Sequence, residues 1–436
     1  MAQQKQQNGS IVAIITMMFL YAMISFVTNL AAPVGVIWKN QPFIDGSNTL
    51  GMLGNLMNFL AYLFMGIPAG KLLTKIGYKK TALTGIALGF VGMCIQFLSG
   101  KMAMGMSAFV VYLIGAFVAG LCVCMLNTVV NPMLNLLGGG GNRGNQLNMI
   151  GGTFNSLAGT LTPMLVGALV GTVTKDTTLA DVNLVMYIAI AVFFLSFIVI
   201  SFIPIQDPEA SKTGKDTVFE HSAWSFRHFV LGAIGIFLYV GIEVGLPGTL
   251  NFYLSDTTAK GAQLAANAAA IGGFVAGTYW FLMLVGRIVG GGIAAKLSSR
   301  TMMTCVTSVA IVLIILAMTS SKTTMVNMPL FTGSSFEMTA VPIAALYIVL
   351  CGLCTSVMWS CIFNLATEGL GKYTAAASGI FMMMVVGGGI MPLLQNLIAD
   401  HAGYMISYIL PLVSIAYLLF YALVGSKNVN KDIPVD

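Results

Sequence analysis

Apolar residues run in long stretches broken by short polar turns, and the pattern repeats from end to end. A helix needs about 20 predominantly apolar residues to cross the hydrocarbon of a bilayer. Twelve stretches qualify, at 10–37, 48–74, 79–99, 106–137, 145–173, 183–204, 228–254, 264–295, 300–320, 338–367, 374–399 and 404–425. The pattern predicts an all-α integral membrane protein. The first run is too long for the apolar part of a signal peptide and has no obvious small-residue cleavage site, so no cleavable leader is expected.

Composition agrees with the pattern. Hydrophobic residues make up 57% and charged residues 8% of the chain, with mean hydropathy +0.90. A soluble domain carries roughly 25% charged residues. The net charge of +6 follows from topology. With both termini cytoplasmic, the inner set of cations is Lys5, Lys71, Lys75, Lys79, Lys80, Arg143, Lys212, Lys215, Arg227, Lys296, Arg300, Lys372, Lys427 and Lys431. The outer set is only Lys39, Lys101, Lys175, Lys260 and Lys322, as the positive-inside rule requires. Arg287 alone sits deep within a span, away from either end. A topological origin for the charge gives no reason to expect nucleic acid as a partner. All seven cysteines fall in spans, which argues against a disulfide framework. Cys351 and Cys354 are read as small packing residues.

The longest polar stretch, Asp207 to Arg227, divides the chain into two sets of six spans. The expected organisation is an N-terminal six-helix lobe at 1–205, a cytoplasmic linker at 206–227, and a C-terminal lobe with a short tail at 228–436. The halves are alike. Gly70 to Lys80 follows span 2, and Gly292 to Arg300 follows span 8, each a short basic turn led by glycine. Two such repeats are the pattern of a transporter whose lobes rock about a midplane site.

Glu243 carries the chemistry. It is the one carboxylate deep inside a long apolar segment, Phe229 to Tyr253, and an intramembrane acid marks a functional site by default. Tyr239, Glu243 and Asn251 are spaced by four and eight, hence on roughly one helix face. An apolar setting disfavours the charged form of a carboxylate, so Glu243 is suited to carry a coupled proton. Direct hydrogen bonding to substrate, together with Tyr239 and Asn251 of the same stripe, and a purely structural pairing are the competing explanations. Arg287, about 13 Å inward from the cytoplasmic end at helical rise, is the candidate partner or gate. Gly70, Lys79 and Lys80 of the first basic turn complete the gating set. Amides form a second constellation: Asn29, Asn58, Asn127, Asn131, Asn148, Asn155 and Asn364. An amide both donates and accepts without charge, matching a sugar hydroxyl. Trp280 and Trp359 lie within spans and offer indole faces to a sugar ring. For each amide and each indole, interhelical packing is the competing explanation.

Absences narrow the class. No Gly-x-x-x-x-Gly-Lys-Ser/Thr phosphate loop is present, and no His/Cys/carboxylate cluster suggests a metal. No cofactor is expected beyond a proton gradient as driving force, and no nucleophile–base pair suggests an enzyme.

The residues resemble a known family. Val240-Gly-Ile-Glu243-Val-Gly, Tyr279-Trp280 with Gly286-Arg287-Ile-Val-Gly290, Ile362-Phe-Asn-Leu-Ala366, Gly387-Gly-Gly-Ile-Met-Pro392, and Asn131-Pro132 with Thr153-Phe-Asn155 are similar to the fucose–galactose–glucose:proton symporters of the major facilitator superfamily, over nearly the whole chain. The resemblance implies twelve helices in two pseudo-symmetric six-helix lobes, a bacterial inner membrane, a monomer, and uptake of a monosaccharide or amino sugar by alternating access with proton symport. Two positions depart from it. The family's fucose-type members carry acids where this chain has Asn29, ahead of Pro33, and Asn127, so coupling rests on Glu243 alone. The competing expectations are an uncoupled sugar facilitator and, further off, an exporter of amphipathic compounds.

Overall fold

The computed structural model describes residues 2–137, 141–171, 173–203, 221–264, 267–293, 297–331, 335–370, 373–430 and 432–433. The expected linker therefore lies outside the described residues over 206–220. Among the described residues twelve helices are long and apolar enough to span a membrane, beginning with Ile11–Lys39 and ending with Tyr404–Gly425.

The first half is α1 (Ala2–Lys39), a single turn α2 (Asn48–Gly51), α3 (Leu53–Ser99), α4 (Met106–Leu137), α5 (Gly141–Val170) and α6 (Asn183–Phe202). Spans 2 and 3 both lie in α3. The basic turn expected between them contracts to a kink at Gly77, whose φ of 83° interrupts the helix and separates the two spans. Such a left-handed backbone is strained for any residue with a Cβ, so glycine alone adopts it readily.

The second half is α7 (Arg227–Ser255), α8 (Ala268–Ile293), α9 (Ser299–Thr319), α10 (Ile343–Thr355), α11 (Met358–Thr367), α12 (Thr374–Met384), α13 (Gly387–Ala402), α14 (Tyr404–Ser407) and α15 (Ile409–Phe420). Spans 10 and 11 are each broken near the middle, at Ser356–Val357 and Val385–Val386. One expectation is corrected here. Residues 338–342, predicted as the start of span 10, are extended. They belong to an antiparallel hairpin of β1 (Met325–Phe331) and β2 (Phe336–Pro342). The cause is residue choice: Val326, Phe331, Phe336 and Val341 favour a pleated strand, and Pro342 precedes the first helical residue, where its missing N–H costs nothing.

Without a hydrophobic force between helices in lipid, close packing must hold them. The two halves meet where α5 crosses α8, and there Gly167 and Gly273 touch. A Cβ on Gly273 would overlap the Pro163 carbonyl. Further contacts join α3 to α12 and α13, and α1 to α7. Around the perimeter Phe64, Leu161, Phe194, Val312 and Val413 are exposed, as expected of a lipid-facing belt. Lys39, Asp256 and Asp400 lie at one end of the bundle and Lys79 and Arg300 at the other, and the charge skew of the sequence makes the first the expected outer end and the second the expected cytoplasmic end.

Candidate functional site

Glu243 lies 12 residues before the outer end of α7, about 18 Å down the helix at 1.5 Å per residue, hence near the midplane. Its carboxylate is held from two sides. The Tyr239 hydroxyl, one turn below, lies 3.0 Å from Glu243 Oε1 and 3.2 Å from the Thr355 carbonyl. It has one proton and so donates to one of them at a time. Arg287 of α8 donates from Nη2 to the same Oε1 at 3.3 Å. Its Nη1 donates at 2.6 Å to the Gly152 carbonyl of α5. Arg287 thus bridges the halves, with a carboxylate of the second on one arm and a backbone oxygen of the first on the other. Neither member of the ion pair is sealed in, the side chains being 16% and 14% exposed.

Aromatic residues frame the pair. Trp359 packs against Tyr239, with ring centroids 6.2 Å apart. Tyr279 meets the Thr355 hydroxyl at 2.8 Å and stands edge-on to Trp280. Trp280 in turn crosses the seam towards Gly159 of α5, where Asn29 and Ser25 of α1 also converge. Asn29 donates to the Ser25 carbonyl at 3.0 Å. The absence of a Cβ at Gly159 leaves the space in which these three groups meet.

The amides of the first half form a second layer. Asn127 donates to the Tyr62 hydroxyl at 2.5 Å, and Asn131 donates to the Asn127 carbonyl at 2.9 Å. The Tyr21 hydroxyl donates to Asn131 Oδ1. Asn155 donates to the Tyr21 carbonyl at 3.2 Å. The two layers approach each other along α5, where a Cβ on Gly151 would press on the Tyr21 ring at 2.5 Å and one on Gly152 on the Arg287 guanidinium at 3.3 Å. Between them lie hydroxyls and amides that can donate or accept, with one carboxylate and one guanidinium. Such a set suits a neutral polyhydroxylated ligand.

Tyr239, Glu243, Arg287, Trp280 and Trp359 therefore come together, with Asn127, Asn131 and Asn155 opposite and Asn29 at the edge. Other expected residues lie elsewhere. Asn251 shares the Glu243 helix but sits two turns higher, buried, accepting a hydrogen bond from Ser255. Asn58 is buried where α3 meets Gly120 of α4, its Oδ1 without a partner. Asn364 is exposed, three residues before the end of α11. The side chain of Asn148 lies outside the described residues. Of the gating set, Gly70 lies within α3, Lys80 is exposed, and Lys79 donates to the Ser201 carbonyl at 2.7 Å, tying α3 to α6. Tyr21, Tyr62 and Thr355 were not foreseen. In the sequence they are ordinary members of apolar runs, and nothing in their spacing separates them from core residues.

Comparison with known proteins adds the family. The model described as Major Facilitator Superfamily matches residues 12–391. A glucose/galactose transporter of Brucella abortus biovar 1 (strain 9-941) is 30% identical over 434 residues, covering 98% of this chain and 96% of that one. An L-fucose-proton symporter of Escherichia coli (strain K12) is 21% identical, covering 95% and 92%. Among solved structures, FucP, a Major Facilitator Superfamily transporter in the outward conformation, superposes with a TM-score of 0.68 at 18% identity, covering 96% of this chain and all of that one.

Proposed function

We propose that this chain, which belongs to the Major Facilitator Superfamily, a family of transporters and not of enzymes, takes up a monosaccharide across a bacterial inner membrane by alternating access, with Glu243 carrying a symported proton. The relatives named for glucose, galactose and fucose support a sugar as substrate. The observation that carries the coupling is the Glu243–Arg287 pair: one carboxylate near the midplane, partly exposed, joined to both halves through a single guanidinium.

The charge balance gives a working cycle. With Glu243 ionised, the pair is neutral. With Glu243 protonated, the site carries one net positive charge and Arg287 loses its carboxylate partner. The loaded carrier is then drawn inward by the membrane potential, and the empty carrier returns without a charge penalty. One charge crossing 100 mV supplies about 2.3 kcal/mol, enough for roughly fiftyfold accumulation. Each pH unit of gradient adds about 1.4 kcal/mol. Sugar hydroxyls would take up the hydrogen-bonding capacity of Asn127, Asn131, Tyr62 and Tyr239, with Trp280 and Trp359 against the ring.

The test is uptake of labelled glucose, galactose, fucose, mannose and N-acetylglucosamine by cells expressing the chain, with and without a protonophore. Symport requires one sugar to accumulate above its outside concentration and the protonophore to abolish this. The second reading is an uncoupled facilitator. It is favoured by Asn29 and Asn127 standing where acids would titrate, and it requires the sugar only to equilibrate, whatever the protonophore does.

A further inference from the structure

A second polar network lies at the outer end, remote from Glu243. Lys39, the last residue of α1, is 3% exposed, and its ammonium is surrounded. It donates to Asn48 Oδ1 at 2.7 Å and to the Tyr404 hydroxyl at 2.6 Å, and lies 3.5 Å from Asp256 Oδ2. The Phe252 and Tyr404 rings flank it at 5.3 and 5.4 Å. The Tyr404 hydroxyl is itself 2.7 Å from Asn48 Oδ1 and 2.9 Å from Asp256 Oδ2. A second clasp lies alongside. Asp400, near the end of α13, accepts from the Asn48 and Thr49 backbone N–H groups at 2.8 and 2.9 Å, and from the Ser47 and Thr49 hydroxyls at 3.0 and 2.7 Å. The Lys39–Asn48 and Tyr404–Asp256 contacts lie within one half each, and all the others join the first half to the second.

We infer that Lys39, Asp256, Tyr404, Asn48 and Asp400 are the outer gate of the transport path, made when the outer side is closed and broken when it opens. This rests on the alternating-access part of the reading above, and on neither the sugar nor the coupling ion. Three observations carry it. First, the network spans the seam between halves that must part at this end. Second, the seam just below it is shut: the cavity between α1, α5, α7 and α8, lined by Pro33, Val36, Asn251 and Ser255 among others, holds about 10 Å³. That is about one water, far below a sugar. Third, the chemistry suits reversible contact. A buried ion pair gains little net over its hydration, so its members can separate into water at small cost, whereas an apolar seam of equal area would resist opening. Gly51 permits the fit, since a Cβ there would press on Lys39 Cβ and the Gly35 carbonyl at 2.9 Å each.

The test reads access to the seam in the full-length chain. Ser255→Cys is introduced, and right-side-out vesicles are treated with a membrane-impermeant maleimide. Modification at position 255 is followed by peptide mass spectrometry, with the native cysteines as internal references. In the parent, labelling is slow. Lys39→Gln, Asp256→Asn and Asp400→Asn each raise its rate at least fivefold, while Asp45→Asn, an exposed acid in the same loop, leaves it unchanged. Rates within twofold of the parent in all three variants overturn the gate. Should Lys39→Gln fail to fold, Asp400→Asn gives the same readout, since it alters a shallower contact and leaves the Lys39–Asp256 pair intact. The assay needs neither sugar nor proton gradient. A failed uptake panel with raised labelling faults the substrate or coupling assignment, and unchanged labelling with working uptake faults the gate.

Discussion

Among the described residues two ion pairs form, one on α7 and one just past its outer end, and they are built differently. At the midplane, Arg287 and Glu243 meet through one contact of 3.3 Å, with both side chains partly exposed. At the outer end, Lys39 is almost wholly enclosed and shares its charge with Asp256, Asn48 and Tyr404 at once. A loosely held carboxylate with access to water can exchange a proton while the protein around it stays put. An enclosed, multiply bonded pair breaks as a unit, when the surfaces that carry it part. The first arrangement suits a site whose charge must change, the second a contact whose geometry must change.

The contrast breaks most sharply at Glu243. Glu243→Gln keeps the shape and loses the titration. Where the parent accumulates sugar about fiftyfold at 100 mV, the variant brings it only to the outside level, while exchange of labelled for unlabelled sugar persists. Arg287→Gln ranks next. It frees the Gly152 carbonyl and leaves Glu243 without its cation, and removing one partner of a buried pair costs about 3–5 kcal/mol. Partial exposure of this pair discounts that figure, so a fall in initial uptake rate of about tenfold is expected. Smaller again is Tyr239→Phe. It deletes one hydrogen bond to a charged group, worth roughly 1.5–3 kcal/mol when fully buried, and an uptake rate about three- to tenfold lower is expected, with protein abundance unchanged.

The smallest effect is an expected constancy, which separates the two pairs by pH. Burial opposes ionisation of Asp256, but the Lys39 ammonium and hydrogen bonds from Thr258 and Tyr404 outweigh it, and hold its carboxyl below the usual carboxylate range. The charged group facing Asp256 is Lys39, and Lys39 in turn is faced by Asp256, Asp400 and Lys260. A depressed carboxyl contributes stability that is complete above its unfolded value near 3.9 and is lost only as pH falls through the lower, folded value. Protonation of Asp256 should therefore contribute no change in labelling at Ser255→Cys between pH 5.5 and 8. A steep rise in labelling across that window would show that the outer contact titrates.

The sequence exposes these two regions unequally, for physical reasons. A carboxylate in the middle of an apolar run is costly wherever it occurs, so Glu243 stands out, and helical spacing places Tyr239 beside it. Arg287, the one cation deep inside a span, is its evident counterpart. Lys39 gives no such signal. A lysine at a span end reads as a topological charge facing water, and only the fold brings Asp256, Asp400 and Tyr404 to it from distant segments. Asn251 shows the limit of face arguments: it has the periodicity of Glu243, yet two turns of rise carry it to the outer seam. The hairpin was hidden because its apolar strand β2 runs directly into α10, so a hydropathy window cannot find the join. Gly77 is the converse case, where the break between two spans narrows to one non-helical residue.

The central claim is that Glu243 couples proton and sugar, and one measurement tests it most directly. It is the steady-state accumulation ratio of the transported sugar in cells expressing the native chain or Glu243→Gln, each with and without a protonophore. The expected result is accumulation above unity only in the native chain without protonophore, and a ratio of one in the other three conditions. Protonophore-sensitive accumulation that survives in Glu243→Gln would contradict it and move the coupling to another residue.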